Sequence, residues 1–218
     1  MNFDPTLFLI FPVFLISVVV HECAHGWMAL RCGDPTARDA GRLTLNPLPH
    51  VDPVGSVILP GILMLTHAPF LFGWAKPVPV VWANLRHPRN DQLKVALAGP
   101  ASNFLLAIAF AALARFAPDQ GFWAPLAVMG YSGVVWNCAL GLFNLIPIPP
   151  LDGSWLLMRF LPLRHIIALQ QYRMLGMMLV VLLMTSPVLA EPLLHVPLRF
   201  AVDACLGLFG AGRPANAS

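Results

Sequence analysis

Charge is what this chain has least of. Asp, Glu, Lys and Arg together make up 11% of its 218 residues, and the chain holds just two glutamates, Glu22 and Glu191. A soluble domain needs a charged, wetted surface, and this composition cannot supply one. Cysteine is also scarce. Cys23, Cys32, Cys138 and Cys205 form no CxxC pair and no disulfide-like spacing, which excludes a zinc finger or a disulfide-stapled scaffold. The thirteen Lys and Arg are scattered between apolar segments without clustering, so the footprint of a nucleic-acid binder is missing. Internal repeats and low-complexity tracts are absent too, apart from a small polar tail at 212–218.

What the chain has in abundance is apolar surface: 58% of its residues are hydrophobic and its mean hydropathy is +0.73. This is the balance of an integral membrane protein. Apolar stretches approaching the roughly 20 residues needed to cross a bilayer occur at about 7–28, 54–72, 95–116, 122–146, 173–190 and 196–212. The first is read as a retained spanning helix rather than a signal peptide. It lacks a basic leader, carries Asp4 where Lys or Arg would be expected, and runs on through His25 to Leu30. The second contains Pro60, Gly61, His67 and Pro69, which suit a re-entrant hairpin as well as a crossing.

If 54–72 enters and returns on one side, Arg31, Arg38, Arg42, Lys76, Arg86, Arg89, Lys94, Arg159, Arg164 and Arg173 all share one face. Ten of thirteen cations on one side is what the positive-inside rule expects of the cytoplasm. The N-terminus then lies outside. Between the first two apolar stretches, Pro47, Pro49 and Pro53 forbid a helix, while Arg42 to Leu45 alternates polar with apolar as a short exposed strand would. Residues 73–80, GWAKPVPV, are expected to be extended.

Within the first uncharged run the chain writes His21-Glu22-Cys23-Ala24-His25. Residues four apart share a helix face, so the two imidazoles can hold one zinc ion while Glu22 reaches a metal-bound water. An ionised residue inside a span is a functional hypothesis by default. Hydrolytic zinc sites keep three protein ligands and an open position. The expected third ligand is Asp152, in NLIPIPPLDG at 144–153, where three prolines break the helix and Gly153 allows close approach. The plainer reading of Asp152 is a helix cap. His50 and Asp52 fit either partners of a ligand or an ordinary turn. Cys23 points off the shared face, and His67, His87, His165 and His195 form no second ligand cluster. The nine methionines suit helix packing.

HECAH on an early membrane helix together with NLIPIPPLDG on a later one resembles the site-2 protease family of intramembrane zinc metalloproteases. The likeness continues through RLTLNPLPHVDPVG, FGWAKPVPV and AGPASN, covering about residues 15–160, and it is to the compact branch without PDZ or CBS domains. The resemblance implies that His21, His25 and Asp152 bind one Zn2+ per chain with Glu22 as general base. It implies that Asn144 borders the site as a substrate or oxyanion contact; Asn103 either does the same, orients the site or joins two helices.

The expected fold is an all-α, multi-pass membrane bundle with a three-helix catalytic core and a short strand or re-entrant region after the first helix. One domain is expected over 1–218, with the core at about 5–160 and C-terminal helices at about 165–212. The expected activity is hydrolysis of peptide bonds within or next to transmembrane segments, as in regulated intramembrane proteolysis. The partners are then a membrane-protein or peptide substrate and the lipid bilayer, with no nucleic acid. The expected place is a bacterial inner membrane, with the site toward the cytoplasm. The rivals are a zinc or divalent-cation transporter, which needs no general base beside its ligands, and a catalytically idle scaffold.

Overall fold

The computed structural model describes residues 6–66, 73–118 and 120–212. All regular structure among them is helical. The first helix, α1 (Thr6–Arg31), is 26 residues long. At 1.5 Å per residue that is about 39 Å, enough to cross the hydrocarbon layer and reach the interface. Its C-terminus stops on a Schellman motif: Gly33 N–H donates to Leu30 O at 3.1 Å and Asp34 N–H to Ala29 O at 2.9 Å, with Gly33 at φ +111°. Arg31 lies 3.7 Å over the Trp27 ring, an aromatic and a cation paired at the helix end as interfacial anchors are.

A short α2 (Thr36–Asp39) follows, then an irregular region and a π-helical turn, Pro53–Ile58, that runs into α3 (Leu59–Leu65). The expectation for 54–72 can be followed only to 66, because His67 and Pro69 lie outside the described residues. The expected strand at Arg42 to Leu45 does not form. Its neighbour is the segment 76–80, where Pro77 and Pro79 have no N–H to give a ladder. Isolated contacts join the two instead: the Arg42 guanidinium donates to Lys76 O at 2.8 Å, and Lys76 N–H to His50 O at 2.9 Å.

Two more long helices follow, α4 (Pro88–Phe116) and α5 (Pro125–Asn144), each opened by a proline in its first turn, where a missing N–H costs nothing. With α1 they are, among the described residues, the three helices long and apolar enough to cross a membrane, and they pack against one another pairwise. Small residues set the spacing. A Cβ on Gly130 would stand 2.6 Å from the Ala114 backbone nitrogen, so α4 and α5 approach as closely as backbones can.

The chain then turns through α6 (Gly153–Met158), α7 (Leu163–Gln171), α8 (Arg173–Thr185), α9 (Pro187–Ala190) and α10 (Val196–Gly207). The stretches expected at 173–190 and 196–212 become one pair bent by 87°, so among the described residues three helices are long and apolar enough to cross, or four if the bent pair is one span. Val202 and Leu206 of α10 join Ala107, Ala111, Val134 and Cys138 in a buried cluster that fastens this pair to α4 and α5. All four cysteines are free thiols.

Candidate metal centre

Three distant segments supply the centre. The C-terminal half of α1 brings His21 and His25 to one face, the first turns of α4 bring Val95, Gly99 and Asn103 against them, and the turn after α5 brings Asp152. His21 Nε2, His25 Nε2 and Asp152 Oδ2 stand at the corners of a triangle 3.1 Å on each side. Among the described residues no other set of three His, Cys, Asp or Glu side chains has donor atoms close enough to share an ion.

The protons decide what such a triangle can be. His25 Nδ1 lies 2.7 Å from Val95 O and His21 Nδ1 lies 2.6 Å from Asn103 Oδ1. A carbonyl oxygen can only accept, so both Nδ1 atoms carry the hydrogen and both neutral rings turn a bare Nε2 lone pair inward. Two lone pairs and a carboxylate oxygen then face each other at 3.1 Å, which is repulsive unless a cation sits among them. Tetrahedral zinc with ligands at 2.0–2.1 Å holds them about 3.3 Å apart, so the spacing fits. Space is kept for it as well. A Cβ on Gly99 would lie 2.3 Å from His25 Nε2 and 2.6 Å from His21 Cε1, so position 99 must be glycine for the imidazoles to stand where they do.

Asp152 occupies the position before α6, yet its carboxylate makes no capping bond there and turns to the imidazoles instead. This disposes of the cap reading. Gly153 permits the turn, since a Cβ there would stand 2.1 Å from Leu145 O at the end of α5. Glu22, next to His21, accepts a hydrogen bond from Val78 N–H at 2.8 Å. In Pro77-Val78-Pro79 that amide is the one N–H available, a signal the sequence carried and the reading of 73–80 as merely extended missed.

The other expected residues fall out differently. Asn103 is wholly buried behind His21, so it orients an imidazole and has no face for substrate. Asn144 donates to Leu140 O of its own helix at 3.0 Å. His50 is buried and donates to Thr44 O at 3.0 Å, with its Nε2 3.9 Å from Cys23 Sγ. Asp52 caps the turn that follows it, accepting from Val54 and Gly55 N–H. Cys23 donates to Thr44 O at 3.0 Å, off the metal face as expected. Unforeseen are Ser17 and Asn137, two buried polar groups bonded to each other between α1 and α5. A polar residue inside an apolar run is their only signal in sequence.

A cradle for a divalent cation with two neutral nitrogens and one carboxylate oxygen, inside apolar helices and beside a glutamate, defines a membrane-embedded metallohydrolase. Comparison with known proteins agrees. The model of Peptidase family M50 matches residues 9–124 and 116–186. YwhC of Bacillus subtilis, which bears the designation zinc metalloprotease, is 35% identical over 213 residues, covering 90% of this chain and 89% of the relative. Rip2 of Mycolicibacterium smegmatis, of the same designation, is 34% identical over 184 residues, covering 83% and 68%. The chain belongs to Peptidase family M50, the site-2 protease family, and is a zinc-dependent metalloprotease of the membrane. No solved structure matches it.

Proposed function

We propose that this chain is one catalytic domain that cuts peptide bonds within or next to the transmembrane segments of membrane proteins, with a core made of α1, α4 and α5. The observation that carries the reading is the 3.1 Å triangle of His21, His25 and Asp152 donor atoms with Glu22 adjoining it, on helices apolar enough to cross a bilayer. His21, His25 and Asp152 hold the zinc. When bound, the ion polarises the scissile carbonyl and makes water nucleophilic near neutral pH. Glu22 accepts the proton of the attacking water and returns it to the departing amine. Its carboxylate is kept in place for this by Val78 N–H.

Substrates are single-pass proteins or membrane-retained peptide remnants. A substrate helix must lose its internal hydrogen bonds before a carbonyl is open to attack. The irregular stretch from Arg42 to Leu45 can receive the unwound chain as an added strand. It borders a groove of about 290 Å³ lined by Val20, Cys23, Ala24, Trp27, Leu43, Thr44 and Leu45. The site opens toward the cytoplasm. His21 and His25 lie toward the Arg31 end of α1, and Val95 lies near the Arg89 end of α4, among the cations that the positive-inside rule assigns to that face. With the named relatives coming from bacteria, the membrane is the bacterial inner membrane, and the activity serves regulated intramembrane proteolysis.

The test is purified protein assayed for bound zinc and for cleavage of model transmembrane peptides, beside Glu22→Gln. Cleavage is expected to fall by about 10²- to 10⁴-fold, the range of general-base contributions, with the zinc content unchanged. Cleavage at the wild-type rate by Glu22→Gln would sink the assignment of the base. Metal transport across sealed vesicles, with no hydrolysis by either form, would sink the protease reading.

A further inference from the structure

Ser17, Asn103 and Asn137 are each 0% exposed, yet all are polar and all lie on spanning helices, one each from α1, α4 and α5. Such groups are costly in an apolar interior unless they are paired. They are paired in one chain of hydrogen bonds, and its direction follows atom by atom. Ser17 Oγ stands 2.7 Å from Val13 O, a carbonyl, so its hydroxyl hydrogen goes there and the oxygen is left to accept. Asn137 then turns its NH2 to Ser17 Oγ, 2.8 Å away, and to Gly133 O, also 2.8 Å away. Its Oδ1 is thereby aimed at Asn103 and accepts from Asn103 Nδ2 at 2.9 Å. Asn103 Nδ2 has a second, longer acceptor in Ser17 O at 3.3 Å. What remains of the Asn103 carboxamide is its oxygen, and that oxygen takes the hydrogen of His21 Nδ1.

A reversed Asn103 carboxamide would present NH2 to His21 Nδ1, push the ring hydrogen to Nε2 and leave no lone pair for a metal. We propose that Asn137 and Ser17 are positioning residues that fix the His21 tautomer through the Asn103 carboxamide and so set the affinity of the centre for zinc. This rests on the reading of His21 as a zinc ligand. The chain begins at two backbone carbonyls, Val13 O and Gly133 O, which cannot reverse their roles, so the hydrogen on His21 is dictated from α1 and α5 rather than by the ring's own preference.

The experiment measures the zinc dissociation constant of the full-length protein in detergent by competition with a chelating indicator. It compares the wild type, Asn137→Leu, Asn103→Asp and the double variant. Asn137→Leu, close in shape, is expected to weaken zinc binding by about 10- to 100-fold, as loss of a partner behind a ligand does. A carboxylate at 103 accepts from His21 Nδ1 with either oxygen and needs no partner to orient it, while its other oxygen replaces the NH2 that donated to Asn137 Oδ1. In the Asn103→Asp background the change at 137 should therefore weaken binding by no more than about twofold, the ordinary error of additivity, and tightening is compatible because Leu removes an oxygen that faces the carboxylate. A loss of equal size in both backgrounds would mean that Asn137 acts by helix packing, and the proposal falls. An unchanged constant in Asn137→Leu overturns it as well. If Asn137→Leu does not fold, Ser17→Ala, which deletes one oxygen, runs the same cycle with the same expectations, its loss lying nearer tenfold. Wild-type affinity in His21→Ala would instead remove the ligand reading itself, and the inference with it.

Discussion

At the scale of single residues the centre depends on an absence as much as on its ligands. Gly99→Ala adds one carbon at a place 2.3 Å from His25 Nε2 and 2.6 Å from His21 Cε1. It is expected to abolish stoichiometric zinc, measured by metal analysis of protein that elutes as the wild type does; full zinc content would show that the imidazoles have other room. The meeting of His21, His25 and Asp152 was readable in the sequence, because HExxH fixes its own geometry on a helix and prolines advertise a broken one. Asn103 was noticed without its partner. Ser17 and Asn137 went unread because an apolar run records how often hydrophobic residues recur and says nothing of which polar side chains meet across helices.

At the scale of elements, the way out of α1 is held by one carboxylate. Asp34 is fully buried and accepts from the Thr36 hydroxyl and N–H, from Asn84 Nδ2 at 3.0 Å and from Val81 N–H at 2.7 Å, tying the end of α1 to the approach to α4. Burial pushes its pKa up, but these bonds outweigh burial and hold it below the ordinary 3.8. A depressed folded pKa means that the stabilisation is complete above about pH 3.8 and drains away as pH falls through the lower folded value. Thermal unfolding in detergent should thus show a midpoint that drops on acidification below about pH 4. Asp34→Asn, which sets an NH2 against Val81 N–H, should flatten that acid limb and cost about 1–3 kcal/mol at neutral pH. An acid limb unchanged in the variant would refute the assignment. Composition announced α1, α4 and α5 well, since long apolar runs admit few other fates. It misjudged Arg42 to Leu45, because alternation says which residues face out but cannot see that the neighbouring chain lacks donors.

At the scale of the whole molecule, α1 and α4 meet with the C-terminal half of one beside the N-terminal part of the other, so Arg31 and Arg89 are expected on the same side of the membrane. Single-cysteine reporters in a background without the four native cysteines test this. Arg89→Cys, at the start of α4, and Phe122→Cys, ahead of α5, are both exposed. In sealed vesicles a membrane-impermeant maleimide should label one of them and spare the other; labelling of both from the same side would overturn the parity. The bend of 87° between α8 and the helices after it was invisible in sequence, where two apolar stretches simply followed each other.

The carboxylate corner of the triangle comes 127 residues after His25. The first helix of a growing chain is therefore complete long before the three donor atoms can meet, and the triangle exists only once synthesis has passed Asp152 and the turn after α5 has docked. Order of synthesis thus sets the moment at which this membrane metalloprotease first has a complete cradle for its metal.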